Sequence, residues 1–156
     1  MSLTIGDLAP NFTLPGMTSD GVKQISLSDY SGKNVILLFF PAAGSGVCTN
    51  EMCTMTENME SYEKLNAVVL GISVDMPFAQ GVWANANKIN IQLLSDHNKD
   101  VSQQYGAFYE TWIQGLKGVS KRAAFVINTE GILLHSEVLE SAGELPNFEA
   151  VNKILS

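Results

Sequence analysis

The stretch Val35-Ile36-Leu37-Leu38-Phe39-Phe40-Pro41-Ala42-Ala43-Gly44-Ser45-Gly46-Val47-Cys48 decides the reading of this chain. Its first six residues are apolar without alternation, the pattern of a strand covered on both faces. Pro41 stops the strand, and Ala42-Ala43-Gly44 supply a turn of small residues. Ser45 is a natural N-cap for the helix that follows. Cys48 therefore arrives at the start of a helix, where unpaired backbone N–H groups and positive dipole character favour thiolate over thiol. Thiolate is the nucleophile, so this placement predicts a reactive cysteine.

Outward from this stretch, strands alternate with helices. Residues 45–65 read as one helix, with Met52, Met55, Met59 and Tyr62 forming an apolar stripe at 3-4-3 spacing. Ala67 to Val74 is a second buried strand, ending at Asp75. Met76-Pro77 opens a helix to about Asn85, with proline in its favoured first turn. Gln92 to Ser95 is a brief strand, and Val101 to Tyr105 a short helix. Arg122 to Ile127 and Ile132 to Val138 flank the hairpin turn Asn128-Thr129-Glu130-Gly131, and Asn147 to Leu155 is a terminal helix. Near the N-terminus, Asn11 to Leu14 and Ile25 to Leu27 are short strands separated by a turn-rich stretch, Pro15 to Gly21. Gly106 to Lys121 reads as a loop or irregular insertion. This order predicts an α/β protein with a central mixed sheet and helices on both faces, compatible with a thioredoxin-like fold.

Bulk properties narrow the function. With 156 residues, 46% of them hydrophobic, the chain is expected to form a single domain over residues 1–156 with a proper core. Its net charge of −7 disfavours nucleic acid and anionic membranes as partners. No basic segment leads into an apolar stretch at the N-terminus, and no apolar run is long enough to cross a bilayer, so a cytoplasmic location is expected. Two cysteines do not make a disulfide scaffold. They are core thiols or chemistry. His97 and His135 lie far apart with no cysteine at ligand spacing, so no metal site is expected.

Four separated segments resemble the peroxiredoxin family. Pro41 to Cys48 is similar to its P-x-x-x-(T/S)-x-x-C signature, and Gly6-Asp7-Leu8-Ala9-Pro10-Asn11-Phe12 to its N-terminal G-D-x-A-P-x-F. Gly71-Ile72-Ser73-Val74-Asp75 resembles its second long strand, and Arg122-Ala123-Ala124-Phe125-Val126-Ile127 its arginine-led strand. The resemblance implies a thiol peroxidase in which Cys48 attacks the O–O bond of hydrogen peroxide or an organic hydroperoxide and becomes a sulfenic acid. It further implies that Arg122 supplies a permanent positive charge to thiolate and peroxide. Ser45 would hold them in line, although capping competes for its hydroxyl, and Pro41 would shape and shield the pocket. The family most often has threonine at the Ser45 position; serine keeps the hydroxyl and loses the methyl that restricts rotation. No bound cofactor is implied. A thiol reductant such as thioredoxin or glutaredoxin is. Trp83, Trp112, Phe78 and Phe108 read as core or interface residues, and an exposed subset near the pocket would form the surface of a homodimer, which the family often has. A peroxide-responsive sensor with poor turnover is the alternative on the same fold, and a structural module with an inert Cys48 is a third.

Cys53 and Glu51 have two readings each. The Cys48–Cys53 spacing resembles the peroxiredoxin Q, or bacterioferritin-comigratory, branch, where the second cysteine resolves the sulfenic acid. On an intact helix the two Cα atoms lie roughly 8–9 Å apart, whereas a disulfide wants about 4.4–6.8 Å. Bonding therefore requires local unwinding. The other reading of Cys53 is structural, with an external thiol reducing Cys48. Glu51 either pairs with Arg122 or favours the helix N-terminus, and the second is the simpler expectation.

Overall fold

The computed structural model describes residues 3–156. Its centre is a five-stranded sheet. β3 (Asn34–Phe39), β4 (Ala67–Ser73) and β5 (Gln92–Ser95) run parallel. β8 (Ala123–Ile127) lies antiparallel against β3, and β9 (Leu133–Val138) antiparallel against β8. The order across the sheet is β5-β4-β3-β8-β9. β3 is central because its side chains are apolar on both faces: Val35, Leu37 and Phe39 enter one core, Ile36 and Leu38 the other.

The two faces are covered unequally. α1 (Gly46–Glu57), α2 (Met59–Lys64), α3 (Pro77–Asn87) and α5 (Phe148–Leu155) all contribute to the core that holds Ile36, Leu38 and Phe40. The opposite face is closed by α4 (Asp100–Gln104) and residues near the N-terminus, with Phe12, Leu14, Leu27, Val101 and Tyr105 packed on Phe39 and Phe125. Tyr105 sits 5.1 Å from Phe125 and 5.5 Å from Phe39 between ring centroids. The mixed sheet with helices on both faces is the expected thioredoxin-like architecture.

Three segments depart from the sequence reading. β1 (Thr13–Thr18) and β2 (Gly21–Ser26) form a hairpin that runs straight through Pro15 and Gly16, so only Ser19 and Asp20 turn. Proline is tolerated in this two-stranded ribbon at the periphery. Gly16 is required by a close approach to β5: a Cβ there would lie 2.7 Å from the Leu93 carbonyl oxygen and 2.7 Å from Gln92 Nε2. The hairpin thus shields the open edge of the sheet. The expected single helix over 45–65 is broken at Asn58, whose backbone (φ −95°, ψ 2°) separates α1 from α2. The 106–121 insertion contains a minimal hairpin, β6 (Phe108–Tyr109) with β7 (Val119–Ser120), and a short turn at Ile113–Gly115.

Candidate active site

The strand, turn and helix around Cys48 form as the sequence predicts. Ser45 is the N-cap of α1, its Oγ accepting from the Cys48 backbone N–H at 3.4 Å. Thr49 closes the first turn, its N–H and its hydroxyl both donating to the Ser45 carbonyl, at 2.9 and 2.8 Å. The preceding loop is pinned from the end of β4. Asp75 Oδ2 accepts from Ala43 N–H at 2.8 Å and from the Ser73 hydroxyl at 2.7 Å. Asp75 enters the sequence reading only as a strand end, and its carboxylate is one functional group that reading misses. The available signal is an acid just beyond a buried strand, beside a turn whose N–H groups need acceptors.

Arg122 enters one residue ahead of β8, the strand next to β3, which brings it to Cys48 across 74 residues of sequence. Its guanidinium is spread over three acceptors. Nη2 donates to Cys48 Sγ at 3.2 Å, Nη1 to Glu51 Oε1 at 2.7 Å, and Nε to the Ala142 carbonyl at 3.0 Å. Arg122 is 1% exposed, and Cys48 and Glu51 are 0% exposed. A planar fork of donors suits this task in a way an ammonium does not.

Glu51 is where the sequence reading is corrected. It does not act as a loose carboxylate at a helix N-terminus but forms a buried ion pair with Arg122. The reason is burial: three residues after Cys48 it shares that residue's inward face, and an ionised carboxyl there requires a partner. Burial pushes its carboxyl up to about 7, and the attraction of Arg122 only partly offsets this. Its second oxygen, Oε2, is buried without a hydrogen-bond partner. The sulfur and the carboxyl thus draw on one cation. A protonated Glu51 leaves the guanidinium to a thiolate, and an ionised one competes for it.

The remaining candidates fall at different depths. Pro41 is buried directly after β3. Cys53 lies half-buried on the same core as Met52, its thiol directed at the Asn87 carbonyl 3.7 Å away, and both cysteines are free thiols. Of the aromatic residues, Trp83 is core at 7% exposed whereas Phe78 is 60% exposed. The cysteine that the sequence predicts to be reactive is buried, and its sulfur lies against the Arg122 guanidinium rather than in hydrocarbon alone. A groove of about 820 Å³ between the β1–β2 hairpin, α2 and α3 shares no residue with this centre. Its size does not mark the chemistry, since a peroxide needs only a small space beside the sulfur.

A thioredoxin-like sheet that presents a helix-borne cysteine to a buried guanidinium fits a thiol-based redox protein. Comparison with known proteins makes the class specific. The model of the AhpC/TSA family matches residues 5–136. Mouse peroxiredoxin-2 is 34% identical over 158 residues, covering 97% of this chain and 75% of the mouse protein. Among solved structures, reduced 2-Cys peroxiredoxin from Plasmodium vivax superposes with a TM-score of 0.84 at 26% identity, covering 97% of this chain and 79% of the other. Peroxidoxin BcpB from Mycobacterium tuberculosis gives a TM-score of 0.80 at 28% identity, covering 98% and 94%. The chain belongs to the AhpC/TSA family of peroxiredoxins and is a thiol-dependent peroxidase.

Proposed function

We propose that Cys48 is the peroxidatic cysteine and that it reduces hydrogen peroxide and small organic hydroperoxides. The Cys48 thiolate attacks one peroxide oxygen, the O–O bond breaks, and the departing oxygen takes a proton to leave as water or an alcohol. The sulfur is oxidised to sulfenic acid. The observation that carries this reading is the 3.2 Å contact between Arg122 Nη2 and Cys48 Sγ. A permanent cation there supports the thiolate before attack and the developing oxyanion during it. Ser45 caps α1 by accepting, which leaves its hydroxyl hydrogen free to donate to thiolate or peroxide. Pro41, buried after β3, shields the sulfur from bulk water.

Cys53 then resolves the sulfenic acid. Its thiol displaces water from Cys48 to form a disulfide once the first turns of α1 unwind. An external dithiol such as thioredoxin or glutaredoxin returns both cysteines to thiols and is itself oxidised. The half-buried position of Cys53 supports this role, since the thiol is less enclosed than that of the fully buried Cys48. Peroxiredoxins often form dimers. For a homodimer of this chain the exposed Met76, just before α3, and Phe78 and Val82 in its first half offer apolar side chains. No helix among the described residues is long and apolar enough to cross a membrane; we assign the protein to the cytoplasm as one domain spanning the chain.

Stopped-flow oxidation by hydrogen peroxide, followed by Trp fluorescence, tests the central assignment. A fast phase present in wild type and lost in Cys48→Ser is expected. Retention of that phase in Cys48→Ser would end it. Mass spectrometry of the oxidised protein should find a Cys48–Cys53 bridge, and sulfenic or sulfinic acid alone at Cys48 rejects resolution by Cys53.

A further inference from the structure

Three hydrogen bonds join one face of α1 to α3 and the residues just beyond it, each linking positions 34 residues apart. Trp83 Nε1–H donates to Thr49 Oγ1 at 3.0 Å, the Cys53 thiol to the Asn87 carbonyl at 3.7 Å, and Asn90 N–H to Thr56 Oγ1 at 3.1 Å. They differ in strength. The sulfur contact is long and weak, while the indole bond has ordinary geometry. The Thr49 hydroxyl also donates to the Ser45 carbonyl at 2.8 Å, so the indole grips the same group that closes the first turn of α1. The indole is itself fixed. Trp83 is 7% exposed, and its ring packs on Phe40 at 5.4 Å between centroids.

Unwinding α1 as far as Cys53 must release Thr49 and Cys53 but not Thr56. Such opening would break the Thr49–Trp83 bond and can leave the Thr56–Asn90 bond in place. We propose that Trp83 and Thr49 are positioning residues that latch α1 closed and so set the fate of the oxidised Cys48. While the latch is closed, the sulfenic acid remains available to a second hydroperoxide, which oxidises it to sulfinic acid and leaves as water or an alcohol. When it opens, the Cys53 thiol attacks the sulfenic sulfur, a disulfide forms, and water departs. This inference rests on the reading of Cys53 as the resolving cysteine.

Two variants remove the bond, Thr49→Val together with the hydroxyl's contact to the Ser45 carbonyl. Trp83→Phe keeps an aromatic ring on Phe40 and deletes the donor; Thr49→Val keeps the shape and deletes the acceptor. Losing one ordinary net hydrogen bond is expected to raise the open population about fivefold. Amide hydrogen exchange over residues 46–53 of the reduced protein should rise by that factor in Trp83→Phe and by at least that factor in Thr49→Val. The double variant should add nothing to Thr49→Val, because the two residues share one bond. Disulfide formation after a peroxide pulse should accelerate about fivefold, and the peroxide concentration that half-converts Cys48 to sulfinic acid should rise equally. The initial oxidation rate in Trp83→Phe should not move, which a general loosening of the site would not permit. Unchanged exchange in both variants overturns the latch, as does faster exchange with an unchanged rate of disulfide formation. Absence of any Cys48–Cys53 disulfide in wild type overturns the resolving reading first and the partition with it. That outcome differs from failure of the latch alone, where wild type still forms the bridge.

Discussion

Replacing Glu51 by glutamine removes the one carboxyl that shares Arg122 with Cys48, and its effect on stability can be worked from the site. The folded protein holds this carboxyl at about 7, against 4.5 for an ordinary glutamate. Between those values the folded chain keeps a proton that the unfolded chain has released. Stability contributed by the group is therefore complete below pH 4.5, falls as pH rises, and levels off above about 7. The gap corresponds to a loss on the order of 3 kcal/mol across the window. Glutamine fills the same space, still offers Arg122 Nη1 a carbonyl oxygen, and does not titrate. The comparison belongs in a Cys48→Ser background, where no thiol shares the guanidinium with the carboxyl. Urea denaturation at intervals from about pH 4.5 to about 8.5, followed by Trp fluorescence, measures the difference between that background and its Glu51→Gln derivative. Relative to the glutamate protein, the glutamine protein should gain about 3 kcal/mol over this range, all of it below about pH 8. Parallel profiles would show that the carboxyl titrates at its ordinary value and would refute the argument that burial outweighs Arg122.

The other expectations concern the guanidinium and the hairpin. Arg122→Lys keeps the charge but cannot reach Cys48 Sγ, Glu51 Oε1 and the Ala142 carbonyl together, so stopped-flow oxidation of Cys48 should slow on the order of a hundredfold. A rate within tenfold of wild type shows that charge alone suffices. Gly16→Ala drives a methyl to 2.7 Å from the Leu93 carbonyl oxygen and should cost about 1–3 kcal/mol. Calorimetry should record a Tm lower by about 5 °C with peroxidase activity retained; an unchanged Tm would show that the hairpin yields freely.

What the sequence makes legible here is what is local. The run from Val35 to Phe40, the stop at Pro41, the cap at Ser45 and the arrival of Cys48 on a helix each follow from neighbours within a few residues, and the structure reproduces them. The pairing of Cys48 with Arg122 is not of this kind. The two lie 74 residues apart, no local rule joins them, and only the resemblance of the arginine-led strand points there. Glu51 is misread because a carboxylate near a helix N-terminus satisfies a local rule, while its actual partner is set by the tertiary packing of β8 on β3. The break at Asn58 carries no proline or glycine to announce it. Pro15-Gly16 announces a turn that does not occur, because the ribbon lies at the sheet's rim and its glycine answers to Leu93, a residue far along the chain.

The guanidinium's third bond, from Nε to the Ala142 carbonyl, makes the site depend on almost the whole polypeptide. Cys48 leaves the ribosome early, Arg122 much later, and the segment that steadies Arg122 later still. A nascent or partly folded chain therefore carries a bare sulfhydryl without its cation until β8 and the segment around Ala142 close beside it. If Cys48 is the reacting sulfur, recovery of peroxide reactivity during refolding should trail the recovery of helix.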